Sequence, residues 1–374
     1  MALRQSDNFF MKKALRLALM GAGMTSPNPL VGAVVVNGDG VIVGKGYHQQ
    51  VGGPHAEVNA LRNAGGAARG AVLYVTLEPC NHYGRTPPCT RAILDAGISR
   101  VVFGMADPNR EVAGGGAQAL KQAGLEVSGG VLEKECRAVN QPFIKRATVG
   151  LPYVTLKSAA TLDGFIATST GESKWITGEA ARGFAHLMRS RVDAIIVGIG
   201  TVMADDPLLT ARLPGRKKYR QPVRIVLDSG LKIPQGSQLV CSSSVSPVWV
   251  VCGAKAPRER EEALGRAGVR VLRLGAPNGR IDVGGLLEVL GKNRVSSLLV
   301  EGGGHVLASF MESGHADEFY FFYAPKILGD PGGVSMVSGG PRPHMPDCAK
   351  AYGLSVRKLA DDLLIRGRLR EELY

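Results

Sequence analysis

The sequence predicts a protein of two α/β domains. Two observations predict it: strand-like and helix-like segments alternate along almost the whole chain, and a stretch containing Gly, Pro and a small charge run interrupts them near residue 147. The length of 374 residues agrees, since domains usually run about 100–200 residues.

The first series begins with an amphipathic helix over 6–21, opened by Ser6 and Asp7 as cap residues. Val31–Val36 and Gly40–Gly46 read as strands joined by an Asn37-Gly38 hairpin turn. A helix is expected over His55–Ala64, stopped by Gly65-Gly66, and a buried strand over Ala71–Leu77. A helix over Thr90–Ala96, a strand over Val101–Gly104, a helix over Ala117–Ala123 and a strand over Leu125–Ser128 complete it. The segment Phe143–Pro152 (FIKRATVGLP) is expected to be the boundary, giving domains 1–146 and 151–374. In the second series Tyr153–Lys157, Ala194–Val197, Arg224–Leu227, Val248–Val251, Val269–Arg273, Ser297–Val300 and Glu318–Tyr323 read as strands. Helices such as Glu179–Ser190 and Val283–Leu290 lie between some of them.

No apolar run reaches the roughly 20 residues a membrane-spanning helix needs. Near the start, Arg16 breaks the apolar stretch Ala14–Met20. That fits an amphipathic helix better than a secretory leader, so a cytoplasmic protein without membrane partners is expected. The formal net charge of +13 raises the question of nucleic acid. The charge is spread, with +6 on residues 1–146 and +7 on the rest, and the densest patch, Arg212–Arg224, is a loop-like stretch without helical period. A basic stripe or recognisable reading module is missing, so no nucleic-acid partner is expected, whereas small anionic ligands are. Six cysteines without a leader do not read as a disulfide framework. Four are single thiols among apolar residues; Cys80 and Cys89 are not.

The stretch Gly52–Val58 (GGPHAEV) places His55 two residues before Glu57 at a helix start, and EPCNHYGRTPPC follows with Cys80 and Cys89. One imidazole and two thiols are three ligands for a tetrahedral zinc ion with an open position, the pattern of catalytic rather than structural sites. Such a zinc ion generates hydroxide near neutral pH, and Glu57, not a ligand, is placed to move protons. Residues i and i+2 do not share a helix face, so this pair converges only where the chain is still bending into the helix. Each residue alone reads as ordinary: His55 as a cap or core group, Cys80 as a small buried apolar group. A closed structural site that recruits His48 or His82 is the competing arrangement. Jointly, H-x-E followed by P-C…C is the signature of zinc-dependent nucleobase and nucleoside deaminases. The usual gap of two residues between the cysteines is eight here, and the insert carries His82, Gly84, Arg85 and Thr86, all able to contact a polar substrate.

The segments TSPNPLVGAVVV, GYHQQVGGPHAEVNAL and LEPCNHYGRTPPC resemble the deaminase half of the bifunctional riboflavin-biosynthesis deaminase/reductases. LKSAATLDGFIA, GESKWITG, IIVGIGTVMADDPLLTAR and VEGGGHVLASF resemble the reductase half, in family order over nearly the whole chain. The resemblance implies a cytidine-deaminase-like α/β/α domain followed by a dihydrofolate-reductase-like α/β domain, with Zn²⁺ and NADPH as cofactors. It implies deamination of 2,5-diamino-6-ribosylamino-4(3H)-pyrimidinone 5′-phosphate, then reduction of its ribosyl group to ribityl. It also implies that His55, Cys80 and Cys89 bind zinc, that Glu57 shuttles protons, and that Asn28, His48 and His82 line the pyrimidine pocket. Pro27-Asn28-Pro29 also reads simply as a turn.

The second half holds no G-x-G-x-x-G in a dinucleotide-binding context. Its better phosphate site is a strand running into Gly302, Gly303 and Gly304 and then a helix, where backbone N–H groups and the helix N-terminus favour an anion. A flexible glycine loop is the plain alternative. The resemblance assigns Arg189 and Arg212 to the substrate phosphate. It places Ser173, Leu209 and Glu301 at other substrate positions, and Ala159, Trp175, Thr201 and Asp205 against the nucleotide. Otherwise Trp175 reads as a core aromatic, Arg212 as part of the basic loop, and Asp205-Asp206-Pro207 as a turn. Lys157 and Asp205 are the candidates for the acid that accompanies hydride transfer. Reductase domains of this kind commonly pair, so a homo-oligomer is expected. The rival readings are a nucleic-acid base deaminase, a non-catalytic zinc-stabilised scaffold, and a chain with only one working half.

Overall fold

The computed structural model describes residues 6–83, 87–109, 115–215 and 219–374. It divides into two compact units: Met1–Gly150 with Leu373–Tyr374, and Leu151–Glu372.

In the first unit the order is α1 (Asp7–Ala18), β1 (Gly32–Val36), β2 (Ile42–Tyr47), α2 (Ala56–Ala64), β3 (Val72–Leu77), α3 (Cys89–Asp95), β4 (Arg100–Met105), α4 (Gly116–Gln122), β5 (Glu126–Ser128), α5 (Glu133–Val139) and α6 (Gln141–Val149). The sheet runs β2-β1-β3-β4-β5, antiparallel across β2, β1 and β3 and parallel from β3 to β5. The apolar run of β1, GAVVV, is wholly buried, as a strand covered on both faces must be. The helix that carries His55 and Glu57 lies close on β2 because Gly46 has no side chain: a Cβ there would stand 2.3 Å from the Ala60 nitrogen. Tyr374 packs against this core, and its backbone exchanges hydrogen bonds with the buried Gln141 side chain on α6.

Most of the expected elements are present. The segment 143–152, expected as the boundary, is helical over Phe143–Val149, which lie in α6. The helix ends at Gly150, whose φ of +81° suits glycine. Ile144 and Lys145 are buried on it, which composition alone did not reveal.

The second unit contains β6 (Tyr153–Ala160), β7 (Phe165–Ala167), α7 (Glu179–Arg189), β8 (Ala194–Gly198), α8 (Ile199–Asp205), β9 (Val223–Leu227), α9 (Gln238–Cys241), β10 (Val248–Gly253), α10 (Arg258–Arg266), β11 (Arg270–Leu274), α11 (Val283–Lys292), β12 (Ser297–Val300), α12 (Gly304–Glu312), β13 (Glu318–Tyr323), β14 (Val334–Ser335), β15 (Tyr352–Leu359) and β16 (Asp362–Arg368). Its nine-stranded sheet has the order β11-β10-β9-β8-β12-β6-β13-β16-β15. The strands are parallel from β11 to β13, and β16 and β15 are antiparallel. Successive residues feed opposite faces: Ile196, Ile225, Val251 and Leu298 enter one core, and Ile195, Val226, Val250 and Leu299 the other. Each such side chain contributes about 1.5–3 kcal/mol when fully buried. β12 inserts between β8 and β6, so the chain order reverses there. In open α/β sheets the crevice beyond the strand ends at such a point is where ligands bind. The basic patch Arg212–Arg224 ends on a strand, as the reading of Arg224–Leu227 expected. Arg224 is fully buried on β9, and its guanidinium donates to oxygens of Leu208, Ser242 and Ser246. No helix among the described residues is long and apolar enough to cross a membrane.

Candidate active sites

In the first unit three segments converge. His55 is the N-cap of α2, in extended conformation, and Glu57 sits one turn-step inside the helix. The chain is therefore still turning between them, which lets i and i+2 face one centre. Cys80 follows β3, and Cys89 is the first residue of α3. The Cys89 N–H donates to Cys80 Sγ at 3.4 Å, and Thr90 N–H donates to the Cys80 carbonyl, so the start of α3 fixes the cysteine loop. Gly116 lets α4 close on this loop: a Cβ there would stand 1.7 Å from the Pro79 carbonyl oxygen.

His55 Nδ1 lies 3.1 Å from Cys89 Sγ and 3.5 Å from Cys80 Sγ, and all three ligand atoms lie within 4.8 Å of one another. Zinc's bond lengths to nitrogen and sulfur imply ligand separations of about 3.6 Å in a tetrahedron, so this donor set fits the ion. A hydrogen bond from the Cys89 thiol, with His55 beside it, holds the Cys80 thiol down at about 4 despite burial. The same hydrogen bond and burial push Cys89 up. Cys80 is thus the thiol that loses its proton readily, and Cys89 keeps the one the pair shares. Glu57 is buried at 4% exposure, and burial pushes its carboxyl up, the direction that suits a group holding protons near neutral pH.

His55, Glu57 and Cys80 line a cavity of about 200 Å³ together with Asn28, His48 and His82, and Cys89 lies fully buried behind them. The Pro54 carbonyl can only accept, so His48 Nδ1 carries the proton it donates there, over 3.1 Å. Its Nε2 then accepts from Asn28 Nδ2 at 3.2 Å. Burial depresses the His48 imidazole and keeps it neutral. Both ring nitrogens are engaged, so His48 does not complete a closed four-ligand site. Asn28 also donates its N–H to the Thr25 carbonyl, so the turn reading and the pocket reading hold together. Gly84, Arg85 and Thr86 of the insert lie outside the described residues. The sequence reading missed Glu78, Asp107 and Asn109 on the same wall. The available signal was position: Asp107-Pro108-Asn109 follows directly on the C-terminal end of a parallel strand, β4.

In the second unit a cavity of about 510 Å³ opens at the crevice beside β8, β12 and β6. Lys157, Ala159, Ser173, Trp175, Arg189, Thr201, Asp205, Leu209, Arg212, Glu301, Gly302 and Gly303 all line it. Gly304 does not: it is buried, and a Cβ there would meet the Ser335 carbonyl at 2.5 Å. Gly303 is the N-cap of α12, and Gly302 and Gly303 are the glycines of the loop that border the cavity. Trp175 is 66% exposed, which excludes the core-aromatic reading, and Arg182 lies over its ring at 4.7 Å. Asp205 ends α8, and Asp206, with φ +39°, turns the chain, so the expected turn begins there. Asp205 Oδ1 accepts from Ser173 Oγ at 2.9 Å.

Arg189, expected at the substrate phosphate, is paired with a carboxylate. Its Nε and Nη2 donate to the two carboxylate oxygens of Glu301 at 2.8 and 2.7 Å, and Lys157 Nζ lies 3.6 Å from the same group. A buried carboxylate requires compensating charge, and Arg189 supplies it. Burial pushes the Glu301 carboxyl up, but the Arg189 and Lys157 charges outweigh it and hold it at about 2. Arg212 is exposed and keeps its guanidinium towards the cavity. Arg182 and His186, both missed in the sequence, line an adjoining part of it. Their signal was the spacing of Arg182, His186 and Arg189 at i, i+4 and i+7 on one face of α7.

Residues 4–105 match the cytidine and deoxycytidylate deaminase zinc-binding region, and residues 152–364 match the RibD C-terminal domain. The chain is 46% identical to the riboflavin biosynthesis protein RibD of Aquifex aeolicus, over 97% of this chain and 98% of that one. The chain belongs to the RibD family. Solved RibD structures agree: that of Acinetobacter baumannii RibD, form 1, superposes with a TM-score of 0.87 at 38% identity, covering 97% of this chain and 98% of that one. A Thermotoga maritima structure described as a diaminohydroxyphosphoribosylaminopyrimidine deaminase/5-amino-6-(5-phosphoribosylamino)uracil reductase gives 0.85 at 38% identity, with the same coverage. The mixed α/β class therefore stands, with a cytidine-deaminase-like first unit and a RibD-type reductase second unit. As a RibD family member the chain is a bifunctional deaminase and reductase of riboflavin biosynthesis, with zinc and NADPH as its cofactors.

Proposed function

We propose that the domain 1–146 hydrolyses the 2-amino group from 2,5-diamino-6-ribosylamino-4(3H)-pyrimidinone 5′-phosphate. The domain 151–374 then reduces the ribosyl group with NADPH, giving 5-amino-6-ribitylaminouracil 5′-phosphate. The observation that carries this reading is that each unit gathers its own family-matched side chains around one cavity.

In the deaminase, His55 Nδ1 and the two cysteine sulfurs hold the zinc. Zinc, when bound, supplies the Lewis acidity that makes water a nucleophile at neutral pH. Glu57 takes one proton of that water and delivers it to the ring nitrogen, then carries the second proton to the amine, which departs as ammonia. The neutral His48, fixed by Pro54 and Asn28, and His82 orient the pyrimidine. In the reductase, NADPH supplies the hydride for the sugar C1′. Gly302 and Gly303 present backbone N–H groups to its phosphates, and Ala159, Trp175, Thr201 and Asp205 hold the rest of the nucleotide. Ser173, Leu209 and Glu301 face the substrate, and Arg212 receives its phosphate. Lys157 Nζ or the Asp205 carboxyl delivers the accompanying proton. The partners are small phosphorylated pyrimidines, not nucleic acid or membrane, and the enzyme works in the cytoplasm. It pairs with a second copy through the reductase unit, where the outermost strand β15 carries exposed Leu354 and Val356.

Metal removal tests the division of labour. Chelator-treated protein is expected to stop releasing ammonia yet reduce the already deaminated substrate at the untreated rate, and added zinc restores ammonia release. Loss of both activities together, or of neither, contradicts the assignment.

A further inference from the structure

We propose that His186 is a positioning residue for Arg212, holding the guanidinium at the reductase cavity where it meets the substrate phosphate. This rests on the reading of Arg212 as the phosphate contact. Arg212 is exposed, and a long exposed arginine samples many rotamers unless something holds it. Its Nη2 donates to His186 Nε2 at 3.2 Å. The other face of the imidazole settles the tautomer. His186 Nδ1 lies 3.2 Å from the Thr210 carbonyl, which can only accept, so Nδ1 carries the proton and Nε2 offers a lone pair. The same carbonyl accepts from Arg189 Nη1 at 3.3 Å. A continuous path therefore runs from the buried Glu301–Arg189 pair, through Thr210 and His186, to the exposed Arg212. The rigid end of that path is fixed by the two-toothed ion pair, and the free end points where the anion must bind.

This arrangement works only while the imidazole is neutral. A proton on Nε2 turns the acceptor into a donor and sets two cations against each other. Burial pushes the His186 imidazole down, and Arg189 and Arg212 add to this, while the hydrogen bond to Thr210 and the charge of Glu301 oppose it without reversing it. Arg182 on the same helix and Lys157 on β6 line the same cavity and also disfavour a further positive charge. His186 is therefore neutral at and above neutral pH, and the Arg212 contact loosens as the pH falls through and below the ordinary histidine range.

The test is steady-state reduction of the deaminated substrate by the full chain between pH 5.5 and 8.5, for the wild type and for His186→Ala, His186→Gln and Arg212→Ala. At pH 8, His186→Ala is expected to raise KM for the substrate about ten-fold with little change in kcat, the lower end of what one lost hydrogen bond to a charged group costs. His186→Gln, whose amide oxygen accepts but does not titrate, is expected to restore KM. It should also remove the part of the acid rise in KM that wild type shows. The substrate phosphate also titrates near pH 6, but equally for every variant, so it cancels in the ratio to wild type. An unchanged KM in His186→Ala, or an acid rise undiminished in His186→Gln, overturns the role of His186 while Arg212→Ala still raises KM. If Arg212→Ala itself leaves KM unchanged, the phosphate contact is misplaced and the proposal falls with it.

Discussion

The Glu57→Gln protein is expected to release ammonia about a thousand-fold more slowly than wild type, the middle of the range for a positioned acid–base group. It should still hold its zinc and still reduce deaminated substrate. The reason lies in the separation of roles at the start of α2. His55 offers Nδ1 to the metal cluster, whereas Glu57, buried and set one step inside the helix, is not part of that cluster. A carboxamide keeps the shape of the side chain and cannot accept the water proton. It also removes a charge from a site where burial already disfavours one, so the fold does not suffer. Ammonia release and metal content measured on one preparation check this. A zinc-stabilised scaffold without catalysis predicts no change in turnover, and a Glu57 that ligates zinc predicts loss of the metal with the activity.

The Glu301→Ala protein is expected to lose reduction and to have a second unit less stable by about 3–5 kcal/mol, the usual cost of breaking a buried ion pair from one side. The carboxylate side chain is 6% exposed and neutralises both Arg189 and Lys157, which would be left facing each other without it. Both tryptophans, Trp175 and Trp249, lie in the second unit, so their fluorescence follows its unfolding in urea without a signal from the first. Ammonia release should persist. Replacing Glu301 and Arg189 together by Met should recover much of the stability but not the reduction, because packing can substitute for the pair while the chemistry cannot. The pH dependence has a fixed sign. The folded carboxyl sits at about 2, below its ordinary 4.5, so the stabilisation is complete above about pH 4.5 and drains away as pH falls towards 2. Glu301→Ala should lack that component of acid sensitivity. Equal stability of Glu301→Ala and wild type would mean that the pair contributes nothing.

The sequence made most strands and the zinc cluster legible for the same reason: both depend on local pattern. Runs such as Ala194–Val197 are uniformly apolar because the sheet buries both faces, and H-x-E with two later cysteines is specific as a set. Harder features depended on partners distant in the chain. Nothing near Arg189 in the chain shows that Glu301, 112 residues later, pairs with its guanidinium. At Gly304 the sequence does not show the close approach of Ser335, which leaves no room for a side chain there. The helix over 141–149 hid behind Gly, Pro and charge, because its burial comes from the far side of the same unit, including Tyr374.

The central claim is that one chain carries out two reactions in a fixed order. The most direct measurement supplies the diaminopyrimidinone ribosyl phosphate and NADPH to the purified protein and follows ammonia and NADPH separately in time. Ammonia is expected at once, with NADPH consumed only after a lag that vanishes when deaminated substrate is supplied instead. NADPH consumption that precedes ammonia release, or ammonia release never followed by NADPH consumption, would contradict the account.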